Sequence, residues 1–372
     1  MRRFVCYVSF ATALLSSLPD ALFAQTALPL KNAKFVDIFT SGKEGYHTFR
    51  IPALITTKKG TLLAFCEGRK TGRGDHGNLD MVLKRSRDNG KTWGPIELVH
   101  EEGGDEKITI GNPCPVVDHS TGDIWLPFCR DNDDVFMMHS NDDGKSWSKP
   151  ANITKSVKRP EWGWYATGPG VGIQLTRGKY KGRLVIPCDH RVGEGRDKWN
   201  TQGHSHTIYS DDHGKTWQLG KATGQSMNEC QVAELSDGRL MLNMRSYRGK
   251  KQRAVSISED GGVTWTKPKD NPTLVESVCQ ASLLRYSFAD GKKTRSRLLF
   301  TNPATPSGRH HMTVRLSEDE GQTWPVSRLI YAGSAAYSCL TVLPNGEVGL
   351  IFERDNYSKL SFLRFSIDDL KN

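Results

Sequence analysis

The chain has 372 residues, 25% of them charged, with 36 glycines and 17 prolines, a balance that fits a folded globular chain and excludes a disordered or fibrous one. Lys and Arg outnumber Asp and Glu by 51 to 41, but without a run of five basic residues or a nucleic-acid-binding signature the excess reads as surface charge, and nucleic acid is not expected as a partner. No apolar stretch beyond residue 24 reaches the ~18 to 20 residues of a spanning helix, so stable membrane insertion is not expected either.

Residues 1–24 begin Met1-Arg2-Arg3, run through the mostly apolar Phe4 to Leu18 and end on Ala21-Leu22-Phe23-Ala24. A basic start, a short apolar segment and a small-residue exit mark a secretory leader, with cleavage expected after Ala24 and a secreted or periplasmic chain of residues 25–372. Of the eight cysteines, Cys6 falls in the leader and the other seven contain no CxxC pair. That odd number, placed in apolar runs such as Leu62 to Cys66 and Leu126 to Cys129, reads as small core residues and not as a zinc site or disulfide framework.

The pattern S-x-D-x-G-x-[ST]-W then occurs five times, from Ser86 to Trp93, Ser140 to Trp147, Ser210 to Trp217, Ser258 to Trp265 and Ser317 to Trp324. In each copy the Asp can accept backbone N–H groups to close a turn, the Gly permits a positive φ, and the Trp can anchor the turn on a core. Copies begin about 58 residues apart on average, which suits one four-stranded propeller blade with its loops. Between copies the chain reads as short strands, such as Ile96 to His100, Ile124 to Cys129 and Val135 to His139.

Residues 25–372 are long enough for about six such units, so the sixth must come from the ends. After an outer strand near Leu329, the runs Ala336 to Leu343, Val348 to Arg354 and Leu360 to Phe365 supply three strands, and Phe35 to Thr40 supplies the fourth. Joining both termini in one unit removes free sheet edges. The expected fold is all-β, a single six-bladed β-propeller domain over 25–372.

The segments that carry chemistry lie outside the repeats. Phe49-Arg50-Ile51-Pro52 opens the first strand, and Cys66-Glu67-Gly68-Arg69 leads to a Gly-rich loop with Gly74-Asp75-His76. Asp80, the nearest rival to Asp75, lies where the next strand begins and reads as structural. Further on come Asn228-Glu229-Cys230-Gln231, Leu242 to Ser246 around Arg245, Pro306 to His310 around Arg309, Ala336-Tyr337-Ser338, and Phe352-Glu353-Arg354.

Phe-Arg-Ile-Pro followed by repeated Asp boxes resembles the exo-α-sialidases (neuraminidases) of bacteria and animals, which are six-bladed propellers, and the resemblance runs from about Phe35 to Phe365. It implies that Arg50, Arg245 and Arg309 grip the carboxylate of sialic acid through planar, permanently charged guanidinium forks. It implies Asp75 as acid/base, Tyr337 as nucleophile activated by Glu229, Glu353 as the residue steadying Arg50, and Arg69 as a fourth arginine near the ring hydroxyls. A phenol suits this substrate because the anomeric carbon bears a carboxylate that would repel an attacking Asp or Glu. An unaided Tyr, with a pKa near ~10, needs a neighbouring base. Retaining glycosidases with a Tyr nucleophile are a known exception to the two-carboxylate rule.

The expected substrates are terminal sialic acids on glycoproteins, glycolipids and oligosaccharides, released by a monomer without metal or organic cofactor. A sialidase that transfers the sugar to an acceptor would carry the same residues, and a non-catalytic sialoglycan-binding propeller would need the arginines without Asp75, Glu229 and Tyr337. Trp162-Gly163-Trp164-Tyr165 followed by Gly168-Pro169-Gly170, and Asn112-Pro113-Cys114-Pro115, resemble segments near the family's pocket, with core packing an equal reading. His204, His206, His310 and His311 have no metal-ligand spacing and read as strand or rim residues.

Overall fold

The computed structural model describes residues 27–31, 33–193, 198–291 and 294–371, so the expected leader lies outside the described residues. The chain is all-β with a propeller-like arrangement of antiparallel sheets. The first sheet sets the pattern: Thr48–Thr56, Leu62–Arg69, Leu79–Ser86 and Glu97–His100 follow one another as neighbours. The sheet across residues 227–275 repeats it, and those across 110–152 and 162–219 do so with one added two-residue strand each, Val116–Val117 and Ile173–Gln174.

These strands read as nearly continuous apolar runs because both of their faces are covered. On the first sheet Ala53, Leu63, Phe65 and Leu83 pack with Ile124, Leu126 and Phe128 of the second. The alternate residues Leu54, Leu62, Ala64 and Val82 pack the other way, against Phe39, Ile351, Leu360 and Phe362 near the C-terminus. The core is therefore a series of layers between neighbouring sheets, and one of those layers joins the two ends of the chain. Each fully buried Leu or Phe in it stabilises by roughly 1.5 to 3 kcal/mol.

The last sheet differs from the sequence expectation in one respect. The outer strand near Leu329 and the run from Ala336 are one strand, Val326–Val342, with no turn between them. Its first part pairs with His310–Ser317 and its second with Val348–Arg354, and the register slips near Ser334 and Ala335 where the partner changes. Only Gly333 interrupts the run, too weak a breaker to end a strand that has a partner at both ends. Val36–Thr40 pairs antiparallel with Lys359–Phe365, as expected for the N-terminal run.

All five Asp boxes adopt one turn. The residue before each box glycine and the glycine itself have positive φ, as at Asn89 (59°) and Gly90 (78°). Gly90 N–H donates to Ser86 Oγ at 2.9 Å, and Asp88 accepts from the N–H and hydroxyl of Thr92 at 2.9 and 2.6 Å. Glycine is required for a second reason, because a Cβ at Gly90, Gly144 or Gly214 would lie 2.1 to 2.5 Å from Phe362, Leu63 or Trp125 of the adjoining sheet. The Thr48/Arg69 ends of the first-sheet strands lie opposite its box turn, since Thr48 pairs with Arg69 while Leu62 pairs with Ser86. All seven described cysteines are buried and free.

Candidate active site

Among the described residues several strands are irregular at the site-bearing end. Pairing slips between Arg50 and Ala53, between Met227 and Cys230, and between Ala335 and Ser338. A bulge leaves a residue out of the ladder and re-aims side chains, and those re-aimed include Arg50, Glu229 and Tyr337. Ile51 sits at φ 59°, a conformation a β-branched residue adopts only under constraint. The constraint is Glu353, whose Oε1 accepts from Ile51 N–H at 3.0 Å.

Glu353 is fully buried and holds several groups at once. It takes Arg50 in a two-point grip, Nε to Oε1 at 2.9 Å and Nη2 to Oε2 at 3.2 Å, and Oε2 also accepts from Tyr337 N–H at 3.1 Å. One carboxylate therefore orients the first arginine and the backbone of the tyrosine. Burial alone would lower the Arg50 pKa, but Glu353 and its other anionic neighbours outweigh it and hold the guanidinium firmly protonated.

The three arginines surround Tyr337. The guanidinium carbons of Arg50 and Arg309 lie 5.1 and 5.6 Å from the centre of its ring, and Arg245 Nη1 is 3.3 Å from its hydroxyl. The hydroxyl donates to Glu229 Oε1, and Glu229 Oε2 is paired with Arg245 Nη1 at 2.7 Å. Burial and the adjacent Glu229 push the phenol well above its ordinary pKa against the pull of Arg245 and Arg309. The proton thus rests on the tyrosine and points at the carboxylate.

Asp75 stands on the loop between Leu62–Arg69 and Leu79–Ser86, with a side chain 73% exposed toward the cavity. Its Oδ1 accepts from Arg69 Nη1 at 2.9 Å and Arg50 Nη1 at 3.3 Å. The site walls raise its pKa by desolvation, but Arg69 and Arg50 outweigh that and leave the carboxyl below its ordinary range. Asp80 is buried and accepts from the Tyr46 hydroxyl at 2.7 Å, a structural position.

Of these groups Arg69, Asp75, Glu229 and Tyr337 line a cavity of about 480 Å³, together with Ile51 and Trp164 among others. The structure thus brings Arg50, Arg69, Asp75, Glu229, Arg245, Arg309, Tyr337 and Glu353 into one linked cluster. Of the weaker segments, Trp164 lines the cavity, while Trp162 is buried against the His190 ring. His206 is buried between His190 and the Tyr165 hydroxyl, and that burial holds its imidazole down at about 3. His310 and His311 touch each other beside Arg309. No group of three metal-capable side chains occurs among the described residues.

Sequence reasoning passed over several contributors, among them Asp131, Asn132 and Arg191 of the cavity lining. Glu67 grips Arg69 at 2.6 and 3.0 Å, and Tyr247 accepts from Arg245 Nη2 at 2.6 Å. Both lie two positions from their arginine, so the period-2 rule for strand side chains could have found them. Tyr357 lies under Arg50, 4.3 Å from guanidinium carbon to ring centre, and accepts from Arg309 Nη1 at 3.2 Å. Trp199 lines the cavity and meets Trp164 edge to face at 4.9 Å. No local pattern marks these last two.

Residues 53–350 match the BNR repeat-like domain. The chain is 35% identical over 339 residues to a sialidase of Micromonospora viridifaciens, an alignment covering 85% of this chain and 51% of that protein. It is 34% identical to a sialidase of Bacteroides fragilis over 91% of this chain and 65% of the other. A solved structure of a Hadza microbial sialidase superposes with a TM-score of 0.81 at 31% identity, covering 90% of this chain and 69% of that one. The chain belongs to the sialidase family. It spans about half to two thirds of the length of the two relatives matched by sequence.

Proposed function

We propose that this protein is an exo-α-sialidase that hydrolyses terminal α-linked sialic acids from glycoconjugates with net retention. The observation that carries the reading is the Tyr337 hydroxyl donating to Glu229 while Arg50, Arg245 and Arg309 surround the same ring. The arginines take the substrate carboxylate. Tyr337 Oη attacks the anomeric carbon as its proton passes to Glu229, and the departing glycosidic oxygen takes a proton from Asp75. Water then attacks the tyrosyl-linked sugar, giving its proton to Asp75, and Glu229 returns the proton to the tyrosine.

Asp75 must be protonated to act as the acid, yet in the free site two arginines favour its charged form. The substrate resolves this. Its carboxylate on Arg50 brings a negative charge beside Asp75 and weakens the hold of that arginine, so the Asp75 pKa rises on binding. The assembled Asp75, Glu229 and Tyr337 favour a catalyst over a purely sialoglycan-binding propeller.

Six blades are part of this reading. The strand Val326–Val342 serves two units in turn, and dividing the eight-stranded sheet at its register slip yields two four-stranded blades beside the other four sheets, with Leu28–Pro29 as an outer addition. A secretory leader ending near Ala24 would deliver the enzyme outside the cytoplasm. The test is release of a fluorogenic aryl group from an α-sialoside, with proton NMR of the first sugar formed. The α-anomer should appear first and then mutarotate. No release from the aryl sialoside or from α2,3- and α2,6-linked substrates would overturn the reading.

A further inference from the structure

Arg50 has a buried carboxylate of its own in Glu353, whereas Arg245 and Arg309 are held differently. The carboxylate on Arg245 is Glu229, which also accepts the Tyr337 hydroxyl, and among the described residues Arg309 has no carboxylate partner. Arg309 Nη2 instead reaches the carbonyl of Val278 at 3.5 Å. Val278 is at φ 56°, a costly conformation for a β-branched residue that persists only where its neighbours fix it.

Those neighbours are tied to one fully buried ion pair. Arg253 Nη1 meets Glu276 Oε2 at 2.9 Å and also donates to the carbonyl of Cys279, next after Val278, at 2.8 Å. Glu276 stands two residues before Val278, and its N–H donates to the Lys251 carbonyl at 2.9 Å. Its Oε1 accepts at 2.8 Å from the N–H of Ser246, the residue after Arg245. Arg253 is anchored in turn by Nε to Asn243 Oδ1 at 2.7 Å. Neither charge of the pair lines the cavity.

We propose that the buried Arg253–Glu276 pair is a positioning strut for substrate-carboxylate recognition, fixing Arg245 through the Ser246 amide and Arg309 through the Val278–Cys279 backbone. Stability alone is a weak reason for such a pair, since burying two charges is costly and apolar replacements of similar volume are often no less stable. A single pair that touches the backbone beside two arginines is well placed to set their geometry, and misplacement by about 1 Å can cost on the order of a hundredfold in function.

The inference rests on the reading of these arginines as a carboxylate clamp, and the experiment separates the two. Wild type, Glu276→Gln and the paired replacement Arg253→Met with Glu276→Leu are compared by thermal unfolding, by kcat and KM on the fluorogenic sialoside, and by calorimetric Kd for the unreactive 2,3-didehydro analogue of sialic acid. The strut predicts that KM and Kd rise about tenfold or more in folded variants while kcat falls less. It also predicts that the apolar pair recovers the melting temperature without recovering KM. A folded apolar-pair variant with wild-type KM and Kd overturns the strut and leaves the clamp standing. A wild type that neither turns over the sialoside nor binds the analogue overturns the clamp. Should neither variant fold, amide exchange in the wild type decides: slow exchange at Ser246 supports the strut, and exchange at the rate of an open loop contradicts it.

Discussion

The box turns and the cavity lie at opposite ends of the first-sheet strands, and both depend on aspartates held below their ordinary pKa. At the box, hydrogen bonds from the side chain and backbone of Thr92, four residues away, bring Asp88 from 3.8 to about 2. In the cavity, Arg69 and Arg50 lower Asp75 against desolvation, and every group involved has a second task. The box carboxylates close turns with partners from their own eight residues, so the motif can be copied five times. The cavity assembles Arg50 and Asp75 of the first sheet with Glu229 of a second and Tyr337 of a third, so each occurs once. Repetition marks what holds this protein together, and the unrepeated polar residues mark where chemistry is proposed.

The largest expected effect is at the proposed nucleophile. Tyr337→Phe should lower kcat by on the order of 10³ to 10⁶, as removal of a cooperating catalytic group does, with unchanged thermal unfolding. Full activity in that variant would end the distinction between the two regions. Asp75→Asn should cost about 10² to 10⁴ in kcat on a natural sialyllactose, and markedly less on a substrate whose aryl leaving group needs little protonation. Equal losses on both would deny Asp75 the role of acid.

A smaller effect is expected in the pH profiles. Activity should fall as pH rises through the Asp75 pKa, because the acid loses its proton. With the proposed rise of that pKa on substrate binding, the falling limb should lie at higher pH for kcat than for kcat/KM, which report the complex and the free enzyme respectively. Coincident limbs would contradict coupling between Asp75 and the arginine-bound carboxylate.

The smallest effect belongs to the box. Asp88→Ala should cost about 1 kcal/mol of stability and leave kcat/KM within about twofold. Because the folded-state pKa of Asp88 is depressed, its contribution is complete above the unfolded value near 3.8 and is lost as pH falls toward about 2. Wild type should therefore lose stability relative to Asp88→Ala across that acid window, and a constant difference would refute the assignment.

The boxes were legible because each one is local: spacing, Gly and Trp all lie within eight residues. The closing strand Val36–Thr40 was legible from its apolar run and the need to cover an edge. The continuous strand Val326–Val342 was not, since nothing local announces that one strand will change partners midway. The eight candidate residues were found through a resemblance tied to short motifs. Glu67, Tyr247, Tyr357 and the Arg253–Glu276 pair escaped because what matters about them is distance in space, and period 2 recovers only the first two.

The most direct test of the central proposal is to trap the sugar on the enzyme. A 2,3-difluorinated sialic acid slows release of a covalent intermediate, and digestion with mass spectrometry locates the adduct. One sialyl adduct per chain on the peptide containing Tyr337, absent from Tyr337→Phe, is the predicted result. An adduct on a carboxylate such as Glu229, or time-dependent inactivation with Tyr337 unmodified, would contradict it.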